Sequence, residues 1–373
     1  MLTNLDETLR HQLPTTFDHV GTSDPRFYDR VWFCCYDPEG SLAVITSVGL
    51  YANMNVMDGF VSVMTPKAVG GCDQHNFRFS RILRPEIDEV AVGPLSLEIL
   101  EPYRRIRLRV EEGEFPVGLD LEWRAEFPPV EEGHHFSRLR GRVTQDYRRY
   151  SQLGNVSGAV TLRGRRWDVS NWFSARDHSW GVRTQVAGPE PVTGPTEYDS
   201  DFKGVLFYWL PFLTEEFGGY VQFHTDGDRN RSYMDGVIAQ RDGTARTIVD
   251  AELDVEMHEG TRRWKRADVT LTTEDGERFE LLEEPLMRCF SMDGTGYDWG
   301  WNDDQGLGVY RGEYYTEADV YDLSHPEKVV RPDGQVRTPM HRETATRLTL
   351  NGRPGTGHQV LVAVGPMPGY GLD

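Results

Sequence analysis

The residues best suited to chemistry lie together in one seven-residue stretch near the middle of the chain. It reads Asp177-His178-Ser179-Trp180-Gly181-Val182-Arg183 and combines an acid, an imidazole, a hydroxyl, an indole and a guanidinium. An imidazole changes charge near neutral pH and can therefore transfer protons. The face of an indole ring can stabilise a nearby cation. We therefore interpret this stretch as the chemical centre of the protein.

An architectural interpretation of the same stretch stays open. Asp177 and Arg183 could form a buried bidentate ion pair at a domain junction. Gly181 could supply a positive φ angle, and Trp180 could fill the interface. Ion-pair networks of this kind perturb acids without any catalysis.

The flanking sequence indicates where the stretch sits. A strand-like run, Arg165–Phe173, precedes it, and the Gly- and Pro-rich run Ala187–Pro195 follows it. The second run cannot hold regular structure. The sequence thus predicts a junction where a β-rich segment ends and a linker begins, so that polar side chains face a cleft between two halves.

The rest of the chain predicts strands. Apolar and charged residues alternate over residues 106–110 and 119–127, as in antiparallel sheets with one solvated face. Short strands such as Tyr28–Tyr36 recur between Gly-Asp turns, whereas helix-like spacing is confined to residues 1–13. The predicted fold class is all-β, with two antiparallel β-barrel domains in tandem, residues 1–186 and 187–373, and few short helices.

Composition limits the partners. The 373 residues include 40 basic and 59 acidic side chains, a formal net charge of -19. This charge argues against nucleic acid and against an anionic membrane surface. No apolar run approaches a membrane span, and the N-terminal residues do not resemble a secretory signal. The four cysteines lack CxxC spacing, so we expect a reducing, cytoplasmic location.

No cofactor or metal is expected. A Gly-rich phosphate loop between a strand and a helix is missing, and the adjacent His134 and His135 cannot face one metal from a strand. A third group, Asp298, Asp303 and Asp304, lacks the regular spacing of a calcium loop and is more typical of an exposed loop or pocket rim. The sequence leaves the oligomeric state open.

Several segments resemble the AttH-like and hydroxyneurosporene synthase (carotenoid 1,2-hydratase) superfamily. The resemblance is carried by Gly158 to Gly164 and the Trp/Phe-rich strand, followed by Asp177-x-Ser179-Trp180-Gly181-x-Arg183. Further matches are Trp32-Phe33, Tyr36 to Gly40, Gly49 to Asn53, Gly236-Val237-Ile238 and Arg241-Asp242-Gly243. The resemblance implies two lipocalin-like barrels packed end to end and an elongated apolar ligand. Members of the superfamily include double-bond hydratases and cyclisation-type enzymes.

The resemblance also implies site residues. His178-Ser179-Trp180 matches the His-x-Trp pair of the carotenoid hydratases, and Tyr233-Met234-Asp235 is the candidate for their Tyr-x-Asp pair. Buried Asp235 would protonate an alkene, Trp180 and Tyr233 would face the cation, and His178 would accept a proton from water. Aromatic residues predicted to bind substrate are Trp172, Tyr208, Trp209, Tyr297 and Trp299.

Two functions remain open. The first is a cofactor-independent lyase or isomerase that hydrates, dehydrates, isomerises or cyclises a lipophilic terpenoid, steroid or polyketide-like substrate. The second is a protein that carries such a ligand unchanged. A pocket that combines Trp and Tyr with a buried acid and His favours the first, and a purely apolar pocket favours the second.

Overall fold

The chain folds almost entirely into β-strands. The computed structural model describes residues 2–139, 141–190, 194 and 202–372. The first twelve strands are β1 Phe27–Tyr36, β2 Ala43–Tyr51, β3 Val56–Pro66, β4 Cys72–Ile82, β5 Ala91–Val92, β6 Leu95–Glu101, β7 Arg105–Val110, β8 Val117–Ala125, β9 Val130–Glu131, β10 His135–Leu139, β11 Arg142–Leu162 and β12 Arg165–Arg183.

The remaining strands belong to the C-terminal half of the sequence. They are β13 Val205–Thr214, β14 Phe217–Thr225, β15 Arg231–Gln240, β16 Ala245–Met257, β17 Trp264–Thr273, β18 Arg278–Pro285, β19 Phe290–Ser291, β20 Tyr314–Asp322, β21 Val329–Val330, β22 Val336–Arg337, β23 Arg342–Leu350 and β24 Arg353–Val364. Short 3₁₀ helices occur at Asn4–Glu7, Ala52–Met54, Met292–Thr295 and Pro368–Tyr370. The predicted all-β class is confirmed, whereas the helix expected over residues 1–13 is a single 3₁₀ turn.

The second sheet closes on itself. Its order is β18-β17-β16-β15-β14-β13-β24-β23, and β23 pairs back to β18, which makes an eight-stranded antiparallel barrel. Side chains that point into this barrel form one apolar core, which includes Tyr208 and Leu361. Closure leaves these strands without open edges.

The first sheet is larger and draws strands from both halves of the sequence. Within the described residues its order is β22-β21-β20-β4-β3-β2-β1-β12-β11-β8-β7-β6-β5. Strand β20 pairs with β4 from Tyr314↔Arg81 to Asp322↔Asp73, so residues 314–337 return to the first sheet after the barrel has begun. The division at residues 186 and 187 stays a prediction. Most of the linker expected after it, residues 191–193 and 195–201, lies outside the described residues.

Strand β12 corrects the expected position of the chemical stretch. Asp177–Arg183 does not follow a strand but forms the last third of one, paired with β1 on one side and β11 on the other. Both neighbours supply backbone hydrogen bonds along this stretch, so the strand continues past Gly181 despite its φ of +135°. Alternate residues of the stretch therefore face opposite sides of the sheet.

The two sheets pack through an aromatic layer. A buried cluster joins Trp32, Tyr36 and Phe173 of the first sheet to Trp209 and Val360 of the barrel. Large aromatic side chains of this kind dominate the energetics of a packed interface. No helix in the described part of the chain is long and apolar enough to cross a bilayer.

Candidate functional site

A cavity of about 320 Å³ lies at the junction of the two sheets. Both sheets contribute to its wall, together with the loops that follow β12 and precede β20 and β23. The lining residues are Tyr28, Arg30, Trp32, Gln145, Tyr147, Arg149, Asp177, Ser179, Arg183, Thr184, Gln185, Phe207, Trp209, Tyr297, Asp298, Met340, His341, Glu343, Val360 and Val362. The volume is at the lower end of the range for small-molecule sites.

Strand register explains which residues of the first sheet reach the cavity. Trp32 lies opposite Asp177, and Arg30 lies opposite Ser179. On the other side of β12, Arg149 lies opposite Ser179. Adjacent strands are about 4.8 Å apart, so Asp177 has an arginine diagonally on each side.

The Asp177 carboxyl is the proton donor that this geometry favours. Its side chain is 16 % exposed, and its nearest cation is Arg149, with Nη1 3.9 Å from Oδ2. Among the described residues, no group donates a hydrogen bond to this carboxyl within the usual distance. Burial raises the pKa of Asp177 to about 6, against the opposing influence of Arg149 and Arg30. A carboxyl with this pKa is partly protonated near neutral pH and can give a proton to a bound molecule.

Arg149 is anchored elsewhere. Its Nε donates to Glu132 Oε2 at 2.7 Å, and Ser151 Oγ donates to Glu132 Oε1 at 2.5 Å. Burial alone would raise the pKa of Glu132, but Arg149 and His135 lower it to about 2. Glu132 therefore stays ionised and takes most of the charge of Arg149, which leaves Asp177 weakly paired.

A second ionisable group reaches the cavity from the barrel. His341 Nε2 lies 3.2 Å from Glu343 Oε1, and Glu343 Oε2 lies 3.2 Å from His358 Nε2. His358 Nδ1 in turn contacts the hydroxyl of Tyr36. Burial opposes ionisation of Glu343, but the two histidines lower its pKa to about 2. An ionised carboxylate next to His341 stabilises the imidazolium that forms when this ring accepts a proton.

The predicted catalytic pair His178 and Trp180 faces away from the cavity. His178 Nε2 lies 2.7 Å from Asp29 Oδ1, and its Nδ1 lies 3.2 Å from the Tyr150 hydroxyl. Trp180 is 38 % exposed and packs edge-on against His178, with ring centroids 5.3 Å apart. The catalytic roles of these two residues stay predictions, and the cavity gives them no support because even-numbered positions of this segment point outward.

Tyr233 and Asp235 lie behind the cavity wall rather than in it. Asp235 Oδ2 accepts a 2.7 Å hydrogen bond from the backbone of Gly133 and one of 3.3 Å from Tyr233. The Tyr233 ring stacks on His135 and His224, with centroids 5.1 and 4.8 Å apart. These contacts join β15 to the loop before β10. The structure does not bring Asp235 and His178 together in one site.

The five predicted substrate-binding aromatics divide among different surroundings. Trp209 and Tyr297 line the cavity, and Trp299 lines a shallower groove beside Asp298. Tyr208 points into the barrel, where its hydroxyl donates to Glu283 at 2.5 Å. Trp172 belongs to the core on the other face of the first sheet. Tyr208 differs from Trp209 because adjacent strand residues face opposite sides.

Asp177, Gly181 and Arg183 were expected to be architectural. Asp177 and Arg183 line the cavity, whereas Gly181 borders a separate groove with Trp180. Six residues of strand place Asp177 and Arg183 about 20 Å apart, so the expected pair between them is not made. Arg149 faces Asp177 instead. Gly181 has φ of +135°, and a Cβ there would lie 2.3 Å from the Asp146 carbonyl oxygen.

The three acidic residues Asp298, Asp303 and Asp304 have different partners. Asp298 lines the cavity and accepts hydrogen bonds from Gln185 Nε2 at 3.3 Å and the His341 amide at 3.2 Å. Asp303 pairs with Arg311 at 2.9 Å and Asp304 with Arg337 at 3.2 Å. In the part of the chain that is described, no three His, Cys, Asp or Glu side chains are arranged to hold a metal ion.

Sequence reasoning missed Arg30, Arg149, His341, Glu343 and His358. A signal existed for Arg30, because a lone cation within the aromatic run Tyr28–Tyr36 is costly to bury without a purpose. His341-x-Glu343 at the start of a strand was a similar signal. Nothing in the local sequence shows that His358, fifteen residues from Glu343, pairs beside it.

A second, smaller cavity also lies between the sheets. Its volume is about 140 Å³, and its wall is mostly apolar. The main lining residues are Phe127, Pro128, Val130, Leu153, Pro211, Tyr220, Val237 and Ala239. Its lining includes no carboxyl group or imidazole among the described residues, so it can take an apolar group but offers no proton transfer.

Comparisons with known proteins agree with the fold. A family model described as a family of unknown function (DUF8625) matches residues 2–373, and no curated protein matches the sequence. The crystal structure of an AttH-type protein from Nitrosomonas europaea is 16% identical and has a TM-score of 0.54, covering 92% of this chain and 93% of that chain. Kievitone hydratase from Nectria haematococca is 11% identical, with a TM-score of 0.41 and coverage of 93% and 92%.

CghA, a further solved structure, is 10% identical with a TM-score of 0.46, covering 92% of this chain and 89% of that chain. At 16% identity, the likeness to the AttH-type protein concerns the fold. The expected resemblance to the AttH-like superfamily is thus confirmed at that level, and function has to be argued from the site.

Proposed function

We propose that this chain, which belongs to DUF8625, a family of unknown function, is a cofactor-independent acid/base enzyme. Its substrate would be a lipophilic terpenoid, steroid or polyketide-like molecule bound in the cavity between the sheets. The reaction would be a hydration, dehydration, isomerisation or cyclisation. One observation carries the proposal: Asp177 presents to an aromatic cavity a weakly paired carboxyl whose pKa burial raises to about 6.

The first step assigned to the protein is proton donation. Asp177 lies opposite Trp32 in the β1–β12 ladder, and Trp32 packs edge-on against Trp209 at a centroid distance of 6.0 Å. Positive charge that develops on the substrate beside Asp177 is stabilised by these ring faces, at about 0.5–2 kcal/mol for each ring, and by the carboxylate left after transfer.

The second step is proton removal. His341 lies on the barrel side of the cavity, and the ionised Glu343 holds its ring by a 3.2 Å contact. A neutral His341 can take a proton from a carbon of the substrate or from an attacking water. Donor and acceptor thus come from different sheets, so the reaction depends on the junction.

A carrier function is the alternative, and the second cavity favours it. That cavity of about 140 Å³ has a mostly apolar wall, as expected for storage of an apolar group without reaction. A carrier would use Asp177 to bind rather than to transfer a proton. The cytoplasmic location expected from the sequence stays a prediction under either function.

Deuterium incorporation distinguishes the two functions. The protein is incubated in D₂O with a panel of terpenoid, steroid and polyketide-type alkenes, allylic alcohols and enones, and the recovered compounds are analysed by mass spectrometry. The enzyme is expected to convert at least one bound compound or to exchange its carbon-bound hydrogen, and Asp177→Asn should abolish this. Tight binding of several compounds without conversion or exchange of any of them would favour the carrier.

A further inference from the structure

Two arginines at one end of the cavity face tyrosine rings instead of carboxylates. The guanidinium carbon of Arg30 lies 5.3 Å from the Tyr28 ring centroid and 4.7 Å from that of Tyr297. Arg183 lies over the same rings, at 5.9 and 5.5 Å. Arg30 is 5 % exposed. Two positive charges are therefore held close together where water is largely excluded.

Neither cation has an acid close enough to form an ion pair. Among the described residues, no carboxylate oxygen lies within 4.0 Å of the guanidinium nitrogens of Arg30 or Arg183. Arg30 Nε and Nη1 are buried and have no hydrogen-bond partner in the described part of the chain. Arg149, by contrast, is paired with Glu132. A buried cation without a counter-ion is costly. This end of the cavity therefore favours the binding of a negatively charged group.

The strand between the arginines approaches β11 closely. Gly181 lies opposite Tyr28 on β1 and Tyr147 on β11. Any larger residue at position 181 is disfavoured, because the φ is +135° and a Cβ would lie only 2.3 Å from the Asp146 carbonyl oxygen.

We propose that the substrate carries a delocalised oxyanion, such as a carboxylate or an enolate, which binds between Arg30 and Arg183. Guanidinium groups match such planar anions in shape and charge. Asp177 lies four strand residues from Gly181, or about 13 Å. The ligand is therefore an amphiphile with an acidic group at one end and its reacting carbon near Asp177. This inference rests on the proposed function, which it narrows to acidic lipophiles.

Matched probes test the oxyanion site without knowledge of the substrate. We would measure Kd for 2-naphthoate and for the neutral, similarly shaped 2-naphthylmethanol by quenching of tryptophan fluorescence, with calorimetry as a check. The wild-type protein should bind the carboxylate about tenfold or more tightly than the alcohol, as charge-assisted hydrogen bonds predict. Arg183→Met should remove this preference and leave the Kd of the alcohol unchanged.

Two further variants keep the test decisive. Arg30→Lys retains the buried positive charge, and it should reduce the preference for the carboxylate because lysine lacks the planar guanidinium fork. Arg148→Met is the matched control, since Arg148 is adjacent to Arg149 but points outward with its side chain 48 % exposed. It should bind both probes as the wild type does.

The inference is overturned if the wild-type protein binds the carboxylate no more tightly than the alcohol, absence of binding included. It is also overturned if the preference survives unchanged in both Arg183→Met and Arg30→Lys. The acid/base function is judged separately, by deuterium incorporation into neutral as well as acidic compounds. An enzyme that exchanges neutral lipophiles and shows no anion preference would keep the function and lose the oxyanion site.

Discussion

The two faces of the last third of β12 each carry an ionisable side chain, and the two side chains have different surroundings. On the cavity face, Asp177 has a raised pKa and its nearest cation at 3.9 Å. On the outer face, His178 is held by Asp29 at 2.7 Å and by Tyr150 at 3.2 Å, and its side chain is 30 % exposed. The outer face has the better hydrogen bonds, and the cavity face has the group that is poised to lose a proton.

This difference shows that adjacency in sequence is a poor guide to adjacency in a site built from strands. Neighbouring residues of a strand point to opposite faces, so a motif of consecutive polar residues is divided between two environments. Burial gives Asp177 its raised pKa, although Arg149 and Arg30 oppose the shift. His178, which is hydrogen-bonded to Asp29 and partly solvated, lies in the other of these two environments.

The largest expected effect is on turnover, from substitution of the cavity-face acid. Asp177→Asn keeps the shape of the side chain but cannot supply the proton, so turnover should fall by about 10²–10⁴-fold with little change in substrate Kd. His178→Ala, its neighbour on the outer face, should change turnover by less than about threefold. If the losses are equal, or if His178→Ala has the larger one, the assignment of the reaction to the cavity face is wrong.

Glu343→Gln should have the next largest effect. The amide cannot stabilise an imidazolium at His341 as the carboxylate does, so turnover should fall by about 10²-fold and Kd should stay nearly constant. The variant should also change the pH dependence of turnover, which a purely structural role would not do. Asp29→Asn is the outer-face control, because Asp29 holds His178 as Glu343 holds His341. Equal pH profiles for Glu343→Gln and wild type would contradict the role of this pair.

The fold was predictable because it depends on local pattern. The alternation of apolar and charged residues and the Gly-Asp turns indicate strands, and Tyr28–Tyr36 differs from the observed Phe27–Tyr36 by one residue. The end of β12 was harder, since Gly181 resembles a turn until both neighbouring strands are in place. Tertiary pairing, not local propensity, keeps that segment extended.

The site was less predictable because its residues meet only after folding. The cavity-facing positions of Arg30, Asp177 and Arg149 follow from the register of three strands, one of which is distant in sequence from the other two. His341 and Glu343 reach the same cavity from the barrel side. A pattern along one strand shows that a polar residue is present. It does not show which face the side chain occupies or which neighbours shift its pKa.

A smaller effect is expected on the pH dependence of stability. The pKa of Asp177 is raised from 3.8 to about 6 in the folded state, so between these values the native protein binds more protons than the unfolded chain. Its ionisation therefore destabilises the protein as pH rises through this window, by about 3 kcal/mol above pH 7.

Asp177→Asn should accordingly raise the free energy of unfolding at pH 8 by about this amount, and the gain should shrink toward zero near pH 4. Urea denaturation at several pH values measures it. Asp29→Asn on the outer face should show no such gain. If Asp177→Asn is less stable than the wild type at pH 8, the Asp177 carboxylate stabilises the fold through an ion pair, and the expected cost of its burial is wrong.

The smallest expected effect is the coupling between His178 and Asp29. Their side chains are 30 % and 51 % exposed, and polar pairs at this exposure contribute about 0.2–1 kcal/mol because water and salt screen them. A double-mutant cycle with His178→Ala and Asp29→Ala isolates the pairwise energy. Its value should fall further when the salt concentration is raised from about 0.1 M to about 1 M. A coupling above about 2 kcal/mol that is insensitive to salt would mean that the outer face is as well shielded as the cavity, and the contrast between the two faces would then lose its physical basis.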